Sequence, residues 1–309
     1  VVLGAVLLWF AWFTGTQCTP VQRQQMIAMM VLIFMALVFF TLYEQTYGSW
    51  VTFTDRLLSK DIVPAMVVRD GMPWPWSTLS LLLAPLAFFV AARMSDRNPD
   101  STAPRALFLA VSALIIVLLV RDCVALPQTA GSLTYLGAFF LVALAPLFAG
   151  LWGWLDKRGL DPSKPTKSAF GLLFGGLSFV PMALAAQQVG ATGAMASVWW
   201  LVLAYLVLEI GEMCLSPVGL SAVTQLAMPR VVSLMMGTWF LATAFSETLA
   251  ALFGKLAAID VPEGETLNMV TAAAKYEHLF WLMMWIGLGS AALAFLAAPL
   301  LRRMMHGVK

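Results

Sequence analysis

YLVLEIGEMCLSPVGLSAVTQLAMPRVVSLMMGTWF, residues 205–240, decides how the rest of the chain is read. It begins as a hydrophobic helix, yet Glu209 and Glu212 lie inside it with no Lys, Arg or His among their sequence neighbours. An ionisable group in a membrane-spanning segment costs roughly 3 kcal/mol even on the gentler insertion scale, and so marks a pathway. Ser216 follows one helical turn after Glu212, on the same face. Pro217, which has no N–H, frees the carbonyl of Met213. The stretch therefore predicts an interrupted helix whose carboxyl, hydroxyl and loosened backbone line a cavity.

Composition puts this helix in lipid. Of 309 residues, 61% are hydrophobic and 11% charged, against about 25% charged in a soluble domain. Uninterrupted apolar runs near 20 residues read as membrane spans. A net charge of +2 gives no reason to expect nucleic acid as a partner. Cys18, Cys123 and Cys214 lack metal-ligand spacing, so neither a metal nor a cofactor is implied. Val1 stands directly in an apolar run, without an initiator Met or a signal-peptide flank. The chain thus reads as a piece that begins part-way through a longer protein.

The fold expected is all-α and polytopic, with spans near 1–16, 25–53, 74–94, 105–126, 131–155, 167–187, 195–228, 231–258 and 277–301. Sorting the Lys and Arg into alternate loops checks that division. Arg23, Arg93, Arg97, Arg105, Lys157, Arg158, Lys164, Lys167, Arg230, Arg302, Arg303 and Lys309 fall on one side. Arg56, Lys60, Arg69, Arg121, Lys255 and Lys275 fall on the other. Twelve against six predicts that the first set, and the C-terminus, are cytoplasmic in a cell membrane. Asp260, Glu263, Glu265 and Glu277 crowd one outer loop.

Four acidic residues remain inside spans: Glu44, Glu209, Glu212 and Glu247. No Lys or Arg lies deep in a span, and an unpaired charge in low dielectric neutralises or finds a partner. The chain therefore requires protons, a cationic ligand, or a basic residue from elsewhere in the protein.

Gly211-Glu212, then Ser216-Pro217, Gly219-Leu220-Ser221, and Met236-Gly237, Trp239-Phe240 resemble the tenth and eleventh helices of the proton-dependent oligopeptide transporters. That family is a branch of the major facilitator superfamily. Glu44-Gln45, after a run of aromatics, is similar to the family's seventh-helix signature, with Tyr43 in place of the usual Phe. Residues 145–152, the basic loop 156–167 and residues 170–179 resemble its eighth helix, loop and ninth helix. On this resemblance 1–24 is a preceding helix and linker, 25–73 the seventh helix and outer loop, 74–126 an inserted helical pair, and 127–309 the eighth to twelfth helices. Two departures stand out. The pair 74–126 falls between the seventh and eighth helices, and Gly137-Ala138 occupies the place of an eighth-helix Asn-Pro that touches substrate.

The resemblance implies a C-terminal bundle of a proton-coupled symporter of di- and tripeptides. Its partners are the peptide, protons, the lipid bilayer and the protein's own N-terminal bundle. Glu44 would carry the proton, and Glu212 would meet the peptide's amino end or a Lys of the other bundle. Ser216, Trp239 and Phe240 would contact substrate, and Asp55 would act at the outer gate. Blander readings stand beside these: a neutral Glu44 bonded to a neighbouring helix, a Ser216 satisfying the Pro217 kink, and a solvated Asp55. Glu209 matches no family carboxylate. Glu247 lies among Thr243, Ala244, Ala250, Ala251 and Gly254, and is expected to hydrogen-bond across a helix interface. No HExxH, nucleophile elbow or phosphate loop supports an enzyme. A symporter of another small solute, or a cation channel ringed by carboxylates, is the alternative.

Overall fold

A computed structural model describes residues 2–71, 73–98, 100–257 and 268–308, so Asp260, Glu263 and Glu265 lie outside the described residues. The chain is helical almost throughout: α1 (Val2–Thr16), α2 (Pro20–Tyr43), α3 (Ser49–Leu57), α4 (Ser80–Arg97), α5 (Ala103–Ala125), α6 (Tyr135–Lys157), α7 (Lys164–Leu177), α8 (Phe179–Thr192), α9 (Trp199–Leu226), α10 (Val232–Gly254) and α11 (Met269–Met304). Seven helical segments among the described residues are long and apolar enough to cross a membrane. The expected first span is shorter in its apolar part, Gly4–Thr16, and α10 is not among the seven. The chain is that of a multi-pass membrane protein.

Local sequence explains where these helices start and bend. Thr19 accepts from the Gln22 backbone while the Gln22 side chain accepts from the Thr19 backbone, a reciprocal cap with Pro20 at the first helical position. The second span then runs from Pro20 to Leu57 in two pieces. It tightens to a 3₁₀ turn at Glu44–Thr46 and restarts as α3 after Gly48. The expected span 167–187 is likewise bent. Pro181 cannot donate to Leu177, and the helix breaks at Ser178 between α7 and α8.

Pro217 does not act in this way. Contrary to the expected interruption, α9 remains helical from Trp199 to Leu226 with Pro217 inside it. The Pro217 ring is exposed, and one lost backbone bond in a helix held on several sides does not unwind it.

Two compact units are present, Val1–Ser59 with Thr134–Lys309, and Lys60–Leu133. In the smaller unit α4 packs on α5 and most of their apolar side chains stay exposed. Asp122, buried there, accepts from the Ser77 backbone at 2.6 Å and pairs with Arg121 at 2.8 Å.

In the larger unit an aromatic cluster locks one end of the bundle. Trp50 of α3 meets Phe179 of α8 and Tyr205 of α9 edge-on, while Phe53 meets Tyr276 and Phe280 of α11, all at 5.2–5.5 Å between ring centres. Edge-to-face geometry suits the ring quadrupoles. A two-residue parallel pairing of Leu58–Ser59 with Ala196–Ser197 ties the end of α3 to the start of α9.

The tightest helix crossing is between α7 and α11. A Cβ on Gly287 would stand 2.3 Å from Gly176 Cα, and one on Gly176 2.9 Å from Gly287 Cα. Small residues here permit backbone contact, the main source of helix association in lipid. Gly287→Val is therefore expected to destabilise the protein by about 1–3 kcal/mol, read as a lowered melting temperature in detergent. Gly289, with open space around its Cα, is the control. Equal melting temperatures for Gly287→Val and Gly289→Val would refute the close-contact account.

Candidate functional site

Glycine and aromatic packing set the position of α9. Gly211 lies against α7, where a Cβ would stand 2.9 Å from the Gly171 carbonyl oxygen. Tyr205, buried against Trp50, sits one turn before Glu209. Between these anchors α9 presents Glu209 and Glu212 towards the end of α2, where Tyr43 hydrogen-bonds the first and lies against the second.

Glu209 is 0% exposed. Its Oε1 accepts from the Tyr43 hydroxyl at 3.2 Å, and its Oε2 is buried without a hydrogen-bond partner. Glu212, half-buried, accepts from the Ser216 hydroxyl at 3.5 Å through Oε1. Its Oε2 is also buried and unpartnered. The two carboxyls and Tyr43 are direct electrostatic neighbours. No ion pair to either carboxyl is present among the described residues. The Ser216 hydroxyl thus turns to Glu212 and not to the backbone that Pro217 frees.

Glu44, also half-buried, opens the 3₁₀ turn directly after Tyr43. Its neighbour Gln45 fixes that turn, donating to the Ala250 carbonyl at 2.9 Å and accepting from Ser49 at 2.7 Å. The charged group facing Glu44 is Glu247. Glu247 itself is exposed. The expectation that it is buried in a helix interface is corrected: α10 turns its small-residue side at Ala250 towards the Gln45 turn and leaves Glu247 on an open face.

The remaining candidates lie apart. Trp239 is 3% exposed because its ring covers Gly219 of α9, where a Cβ would fall 2.2 Å from the ring. Phe240, next in sequence, is 59% exposed. Asp55 is exposed near the end of α3. Sequence reasoning missed two members of the central group. Tyr43 was noted only as a departure from Phe, and Gly137 only as a vacant polar position. A Cβ on Gly137 would stand 3.0 Å from Glu209 Oε1, so α6 leaves the space that the Glu209 carboxyl fills. Among the described residues no group of three or more His, Cys, Asp or Glu is placed to hold a metal.

A multi-pass helical bundle in which two carboxyls of α9, without a cation among the described residues, meet a tyrosine hydroxyl from α2 defines a membrane protein with an intramembrane polar site. Comparison with known proteins specifies it further. Residues 128–264 match the POT family model. The chain is 41% identical over 120 residues to the peptide transporter YePEPT of Yersinia enterocolitica, covering 38% of this chain and 24% of that protein. It is 37% identical over 177 residues to the uncharacterized transporter YclF of Bacillus subtilis, covering 56% and 32%. Against dipeptide and tripeptide permease A of Edwardsiella piscicida it is 35% identical over 176 residues, covering 56% and 34%. A crystal structure of a peptide transporter POT in complex with sulfate has the same fold over 99% of this chain and 47% of that one, with a TM-score of 0.67 at 22% identity. Over these residues the chain is similar to the POT family, and its fold is that of a POT transporter structure. It spans about a quarter to a third of the length of these curated relatives.

Proposed function

We propose that this chain is the C-terminal bundle of a proton-coupled symporter of di- and tripeptides, with the pair 74–126 inserted between its family-seventh and family-eighth helices. The observation that carries this reading is the pair Glu209 and Glu212, each with a buried, unpartnered carboxyl oxygen and no cation among the described residues, and with Tyr43, next to Glu44 in sequence, bonded to the first, in a chain matched to peptide transporters and permeases. Transport would proceed by alternating access, this bundle and an N-terminal bundle of the same protein rocking about a site at mid-membrane.

In that scheme Glu44 loads and releases the proton, and Glu212 receives the peptide's amino end or a Lys of the other bundle. Ser216 orients the Glu212 carboxyl. Phe240 offers an exposed aromatic wall to peptide side chains, with Trp239 acting from within the α9–α10 packing. Asp55 serves the outer gate. The C-terminus is cytoplasmic on the charge asymmetry of the loops.

The test is uptake of a labelled dipeptide by the full-length transporter in liposomes. Accumulation is expected under an inwardly directed proton gradient and is lost when a protonophore collapses it. Gradient-driven uptake of a different solute would leave the carboxyl assignments but replace the substrate. An ionic current that needs no solute would overturn the reading in favour of a channel.

A further inference from the structure

Glu209 is given no step in the scheme above, yet groups from α2, α6 and α9 surround it. Fully buried, it receives the Tyr43 hydroxyl at 3.2 Å, and a Cβ on Gly137 of α6 would stand only 3.0 Å from its Oε1. Tyr205 borders the same space, its ring 3.4 Å from where a Gly137 Cβ would be. The Tyr43 hydroxyl lies against Glu212 as well. Among the described residues Tyr47 and Tyr205 are the other titratable groups acting on this set.

A tyrosine hydroxyl has one proton to donate and lone pairs to accept with. Its proton is directed into Glu209, which turns only lone pairs towards the Glu212 side. A hydrogen bond also polarises the donor oxygen and strengthens what it accepts in turn. Glu212 has one oxygen occupied by Ser216 and the other free of partners. A primary ammonium carries three donors and needs more than one acceptor to be bound away from water.

We propose that Glu209 is a positioning residue that holds Tyr43 Oη as a second acceptor, beside Glu212, for a primary ammonium group of the ligand. This rests on the reading that Glu212 receives an ammonium. Glu209 itself is fully buried and acts through the Tyr43 hydroxyl rather than by touching the ligand.

The experiment measures the binding of a dipeptide and its amino-acetylated form to the full-length transporter. Tyr43→Phe is expected to weaken the free-amino dipeptide about tenfold, the worth of one hydrogen bond to a charged group. The acetylated dipeptide changes little. Glu209→Gln keeps a neutral acceptor and weakens the free-amino dipeptide by a smaller factor. Gly137→Ala, which displaces the carboxyl, does the same. Because Glu209 acts through Tyr43, the double variant Glu209→Gln/Tyr43→Phe binds no more weakly than Tyr43→Phe alone. Additive losses, or equal losses for both dipeptides, would overturn the proposal. Melting temperatures of each variant separate loss of fold from loss of binding. Glu212→Gln separates the two readings. Should it discriminate between the dipeptides while Glu209→Gln does not, only the positioning role falls. Should it fail to discriminate, the ammonium assignment falls and the positioning role with it.

Discussion

Glu44→Gln is expected to reduce gradient-driven dipeptide uptake to the level of protein-free vesicles while counterflow exchange of dipeptide continues. Gln keeps the size and much of the hydrogen-bonding capacity of Glu but cannot take up or release a proton. The substitution thus separates coupling from binding. The setting favours this outcome. Glu44 opens a 3₁₀ turn that Gln45 secures to α10 through Ala250, so the change leaves the anchoring bonds of the turn intact. Among the described residues Glu247, its acidic neighbour on α10, is the carboxyl placed to substitute as a proton site. If driven uptake persists in Glu44→Gln and is lost only in Glu44→Gln/Glu247→Gln, the proton is handled by the pair. Wild-type driven uptake in both variants would remove the coupling role from this end of α2 altogether.

The second large effect concerns Glu212. Glu212→Gln is expected to weaken a dipeptide with a free amino terminus roughly ten- to hundredfold, the worth of a charge-assisted hydrogen bond of about 1.5–3 kcal/mol. An amino-acetylated dipeptide should lose far less, since it brings no positive charge. Titration of binding in detergent or nanodiscs gives both numbers. Ser216 donates to the Glu212 carboxyl and can donate equally to the amide oxygen of Gln, so local geometry is kept. Equal weakening of the two ligands would assign Glu212 to an ion pair with the other bundle and not to the peptide.

Much of this protein was legible before its structure. Spans follow from the length of apolar runs, because each helix must satisfy its backbone internally in lipid. The candidates Glu44, Glu209, Glu212 and Glu247 followed from the cost of acidic groups in such runs. The paired motifs around Ser216-Pro217 and Trp239-Phe240 carried the family resemblance. Three details were not legible. Pro217 was read by its local chemistry as a break, yet contacts from several helices keep α9 continuous. Glu247 was placed in an interface because its helical neighbours are small. Small neighbours permit close packing but do not say which side of the helix another helix takes. Trp239 was read with Phe240 as one aromatic pair, but successive helical residues point about 100° apart, and one is buried over Gly219 while the other is exposed.

By itself, then, the sequence determined that the chain is a multi-pass helical membrane protein, which of its helices carry carboxyls, and to which transporters it is similar. These depend on composition and on spacing along a single helix, both of which are local. Tertiary structure alone decided which groups from other helices meet these carboxyls. Tyr43 and Glu209 are 166 residues apart in sequence, and Gly137 reaches Glu209 from a third helix. That contact depends on how closely α2, α6 and α9 approach, which is set by glycines and ring packing on their other faces. No pattern within one helix encodes the distance between it and another.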